Sequence, residues 1–76
     1  MYNANTHKKM VHSLRNQNPS WREGQIAFNS LYITHTELAE EIRGAACDPY
    51  YKDKNLVPFY EFLATKQENQ RRKTDN

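Results

Sequence analysis

Cys47 is the only cysteine in this chain of 76 residues, so the fold must hold without an internal disulfide. That constraint is severe at this length. Apolar burial at about 25 cal/mol/Å², set against about 1.5 kcal/mol per ordered residue, comes out near zero for so small a core. What remains is regular helix packing within one domain, or self-association. A lone thiol also fits a reducing, intracellular setting.

The punctuation favours helices. Gly24 and Gly44 are the only glycines, and Pro19, Pro49 and Pro58 the only prolines. Between them the apolar residues recur at helical spacing. A first helix is predicted over about Thr6–Gln17, capped by Asn5 or Thr6. His7, Met10, Val11 and Leu14 share one face; Lys8, His12 and Arg15 share another. It ends at Asn18-Pro19, where the residue before proline leaves the α region.

Ser20-Trp21-Arg22-Glu23 reads as a capping box opening a second helix to about Ile33. Its main stripe is Trp21, Phe28, Leu31 and Tyr32, with Gly24 and Ala27 alongside. Gly24 weakens a helix by about 1 kcal/mol relative to alanine, which a close neighbour would offset. Ile26 and Ile33 lie across the helix from that stripe. An element apolar on two sides is buried on two sides, so this helix is either the centre of the domain or the face of a homodimer.

Thr34-His35-Thr36-Glu37 signals a third helix, about Thr36–Arg43, ended by Gly44 in the left-handed conformation. One helix kinked at 34–36 is the alternative. Residues 45–54 form a loop. Asn55 then caps a fourth helix, with Pro58 in its first turn and Leu56, Phe59, Tyr60 and Leu63 as its apolar face. The reading is all-α: a compact bundle of three to four short helices in one domain over residues 1–66. A disordered polar and basic tail follows over 67–76.

Charge is segregated rather than large. Residues 1–22 hold four bases and no acid, 23–64 seven acids and three bases, and 65–76 four bases and two acids, for a net +2. That is neither a strong nucleic-acid-binding balance nor an acidic mimic. Mean hydropathy is −1.07. No apolar run approaches the roughly 20 residues of a membrane span, and the polar start from Met1 to Lys9 is unlike a secretory signal. The expectation is a cytoplasmic protein with no membrane contact.

Two clusters stand out as binding candidates. Arg22, Gln25 and Asn29 line one side of the second helix beside Trp21. They form either a polar binding strip or a structural set, in which the two amides bond the 45–51 loop and Arg22 pairs with Asp48. Asp48-Pro49-Tyr50-Tyr51 begins a turn. Its adjacent tyrosines cannot both face the core, and the exposed one would suit a partner. Lys8, Lys9 and Arg15 are candidate phosphate contacts. His7, His12 and His35 lack metal-ligand spacing with Cys47, and Glu37, Glu40 and Glu41 look like a solvated helix face. No metal, no cofactor and no catalytic residue is expected, so the chain does not read as an enzyme.

Arg22-x-Gly24-Gln25-x-x-x-Asn29-x-Leu31, then Asp48-Pro49-Tyr50-Tyr51, then Leu56 to Leu63, resembles a group of short bacterial and phage proteins. In these an R-x-G-Q-x-x-x-N helix precedes a D-P-F-Y loop and a final amphipathic helix. The resemblance covers roughly residues 10–63, with Tyr50 where phenylalanine is usual. It implies a common helical fold and a bacterial or phage origin. The functional expectation is a small non-enzymatic protein acting through protein–protein interaction; where the phage origin that the resemblance implies holds, a phage-encoded modulator of a host protein is its natural form. The alternative is a nucleic-acid or nucleotide-binding accessory protein using the basic first helix and tail.

Overall fold

A computed structural model describes residues 2–67. The chain runs α1 (Ala4–Gln17), α2 (Glu23–Thr34), α3 (Thr36–Ile42), a 3-10 turn (Asp53–Asn55) and α4 (Leu56–Ala64). The all-α bundle expected from the apolar spacing is what forms. Residues 68–76, most of the expected tail, lie outside the described residues. Gln67 belongs to the folded part, since it makes a parallel bridge with Tyr2 and the Tyr2 amide donates to the Lys66 carbonyl at 2.9 Å.

Helix starts differ from the expected ones for identifiable reasons. Asn3, not Asn5 or Thr6, caps α1 by accepting the Thr6 amide at 3.1 Å. The Ser20 capping box does not form. Arg22 occupies the N-cap position without a side-chain cap bond, and Glu23 turns instead to Arg15. Asn55 precedes α4 but does not cap it; its side chain donates to the Asp48 carbonyl at 2.9 Å.

The α2–α3 junction is a break and not a kink. His35, at φ −142° and ψ 70°, ends α2. The Thr36 hydroxyl donates to the Tyr32 carbonyl, which would otherwise be orphaned at a helix end, and the Thr34 hydroxyl donates back to the Ser30 carbonyl. Gly44 takes the left-handed conformation, with φ +78°.

α2 sits at the centre. Ala27, Phe28 and Leu31 meet Ala39 and Ile42 of α3, Phe59 and Leu63 of α4, and Tyr2. Fully burying a side chain such as Leu31 or Phe59 contributes about 1.5–3 kcal/mol. On its other side Ile26 packs with Val11 and Leu14 of α1, and Met10 and Trp21 close the edge. The second apolar side of α2 is therefore met by α1, within one chain. This corrects the expected Ile26–Ile33 oligomer face: Ile26 is 1% exposed and Ile33 55%, so the two do not share a surface. Trp21 belongs to the α1 side, not to the Phe28–Leu31 stripe. Tyr32 also leaves that stripe and faces solvent.

Candidate functional site

The start of α2 is fastened by the loop that follows α3. Arg22 donates to Asp53 Oδ1 at 3.1 Å and to the Tyr50 carbonyl at 2.7 Å. The same Asp53 oxygen accepts the Gly24 amide at 2.9 Å. It thereby supplies the helix N-terminus with the acceptor that Ser20 does not. Gly24 is required here because a Cβ would run into the Pro49 carbonyl oxygen and sit 2.8 Å from Asp53 Oδ1. The expected Arg22–Asp48 pair is corrected: Asp48 turns onto its own loop, accepting the Gly44 amide at 2.8 Å and the Tyr50 amide at 2.9 Å.

Gln25 and Asn29 are placed differently. Both are half-buried, yet their side chains make no hydrogen bond to another described residue. The expected bonds from these amides to the 45–51 loop are absent among the described residues. At about 100° per residue, Tyr32 and Ile33 fall within roughly 60° of Asn29, opposite the Ala27–Leu31 core side. The Arg43 guanidinium caps the strip, 5.3 Å from the Tyr32 ring centroid. Tyr32 and Arg43 were not among the sequence candidates, and Ile33 was one only as part of an oligomer face with Ile26. The helical wheel that placed Asn29 would have found Tyr32 and Ile33 beside it.

The other end of α2 carries a polar network, also absent from the sequence reading. His7 is buried at 1% exposure. Its Nε2 lies 3.0 Å from the Ala27 carbonyl, which can only accept, so Nε2 bears the proton. Nδ1 then accepts from the Tyr2 hydroxyl at 2.7 Å. Burial pushes the Tyr2 hydroxyl up to about 12 and holds the His7 imidazole below its ordinary value. His35 is likewise held low by burial. Its Nε2 accepts the Asn3 amide at 3.0 Å, and its Nδ1 donates to the Thr34 hydroxyl at 2.8 Å. Tyr2 and Asn3 are thus tied down by two neutral imidazoles.

The remaining candidates are dispersed. Tyr50 is half-buried, edge-on to Phe28 at 5.9 Å, and Tyr51 is 79% exposed. Lys8 and Lys9 are exposed on α1. Arg15 forms a two-pronged pair with Glu23 at 2.8 and 2.9 Å, and this hydrogen bond lowers the Glu23 carboxyl. Arg15 is therefore engaged within the chain and does not join the two lysines as a free cation. Among the described residues no group of three His, Cys, Asp or Glu is placed to hold a metal ion, and no helix is long and apolar enough to cross a membrane. No protein-family model matches the chain, and neither does any curated protein or solved structure.

Proposed function

We propose that this is a small non-enzymatic binding protein that acts by occupying the surface of another protein, using the outer strip of α2. One observation carries the reading. Within Arg22-x-Gly24-Gln25-x-x-x-Asn29, the arginine and glycine are consumed in fastening the 43–55 loop, while Gln25 and Asn29 have no hydrogen-bond partner among the described residues. They lie beside Tyr32, Ile33 and Arg43. Aromatic and arginine anchors flanked by amides are the composition of a protein contact. With the bacterial or phage origin that the motif implies, interference with a host protein is the form such binding would take.

A nucleic-acid role finds less support, because Arg15 and Arg22 are paired with Glu23 and Asp53. The test is capture from bacterial lysate, with and without nuclease treatment, by wild type, by Ile33→Glu and by Lys8→Ala/Lys9→Ala. A protein held by wild type and by the lysine variant, but lost with Ile33→Glu, is the expected result. Capture abolished by nuclease, or lost only with the lysine variant, contradicts the reading.

A further inference from the structure

α4 presents a second apolar surface, away from the strip on α2. Its inner side, Phe59 and Leu63, is buried in the core. On its outer side Val57 is 66% exposed and Tyr60 42%. With Leu56, Glu61 and Ala64 they line a shallow groove. Tyr60 also lines a second concavity, shared with Lys8, His12 and Arg15 of α1. The surface is therefore ordered. Bases of α1 lie at one edge, Tyr60, Val57 and Ala64 in the middle, and Glu61 beyond. Helix geometry agrees: Val57 lies about 60° and Glu61 about 100° round α4 from Tyr60, in the same sense. With Arg15 engaged by Glu23, Lys8 is the permanent charge free at the basic edge.

We infer that this face is the contact between two copies of the chain. An isologous twofold contact places the same patch against itself, and with its axis across the base-to-acid direction each edge meets the opposite edge of its mate. A base–apolar–acid order is complementary to itself under that operation. The Lys8 edge of one copy meets the Glu61 edge of the other, while Val57 and Tyr60 of both copies fill the centre. A partner of uniform charge would match only one edge. The contact between copies thus lies on α4 and not on the Ile26 side of α2, which α1 covers. The α2 strip stays free in both copies. The patch is small beside a standard interface of about 1,600 Å², so association is weak and concentration-dependent.

Sedimentation equilibrium on the intact protein, from about 10 to about 500 µM, reads this directly. Wild type is expected to pass from monomer to dimer over that range. Val57→Glu, at an exposed position, is expected to keep the wild-type circular dichroism and remain monomeric. Glu61→Lys and Lys8→Glu should each weaken the dimer by about five- to tenfold, and the double exchange should recover most of the loss, because it restores opposite charges across the contact. A wild type monomeric throughout assigns the face to an unrelated partner and overturns the inference. So does a dimer that survives Val57→Glu, or a double exchange in which the two losses add. Ile33→Glu serves as the control that separates the two surfaces: it should lose the captured partner and keep the dimer.

Discussion

Arg22 and Gly24 lie under the 43–55 loop at the start of α2, whereas Gln25 and Asn29 look outward from the same helix. The first pair is over-determined. One carboxylate, Asp53, receives both the arginine and the helix amide, and the loop backbone closes on the glycine. The second pair is bonded to nothing described. Two neighbouring pairs of motif residues are therefore placed differently: one fastens the chain, and the other has no hydrogen-bond partner among the described residues, as the proposed binding role requires. A motif residue is informative about binding only after the fold's own demands on it have been subtracted.

The sharpest way to break this contrast is at the fastened pair. Gly24→Ala forces the added methyl against backbone rather than a movable side chain, so overpacking should cost about 3 kcal/mol and leave the variant largely unfolded by circular dichroism at 25 °C. A denaturation midpoint near wild type would show that the loop can retreat without loss. Next comes the far end of α2, where acid should loosen Tyr2 and Asn3. His7 and His35 are held below their ordinary values in the folded chain, so the unfolded state binds more protons. Their contribution is fully present above the unfolded value of about 6.5 and is lost as pH falls through it toward the folded values. Urea midpoints should therefore drop between pH 7 and pH 5, and His7→Gln should flatten the slope. A slope unchanged by that substitution would remove His7 from the account.

Asp53→Ala should cost about 1–2 kcal/mol in urea unfolding, mainly through the lost acceptor for the Gly24 amide. The exposed Arg22 pair itself adds little. Ser30→Ala should be the mildest change. The Ser30 hydroxyl is buried with no partner among the described residues, so removing it should leave stability within about 0.5 kcal/mol of wild type or raise it. A larger loss would mean that the hydroxyl has a partner.

The helices were legible in the sequence because periodicity is local. Leu56, Phe59 and Leu63 mark the inner side of α4, and Gly44 marks the end of α3. The division of labour between Tyr50 and Tyr51 followed from simple geometry. What escaped was non-local. Ser20 and Glu23 form a capping signal on paper, but Asp53, thirty residues away, supplied the acceptor and Arg15 took the glutamate. Asp48 looked free to meet Arg22 until the turn it opens claimed both its oxygens. Ile26 looked unpartnered because nothing in its spacing tells which neighbour α1 will cover. Tyr2 lay in a polar, unperiodic stretch, and only the closure of α1 onto α4 places it in the core. For the candidate strip, Gln25 and Asn29 were legible as types; their lack of partners required the three-dimensional arrangement.

The central claim is that Gln25 and Asn29 serve binding and not the fold. Urea unfolding of Gln25→Ala/Asn29→Ala at pH 7 tests it most directly. The account predicts a free energy within about 0.5 kcal/mol of wild type, as for surface positions away from structural features. A loss of about 2 kcal/mol or more would mean that the two amides hold the structure together, and would contradict it.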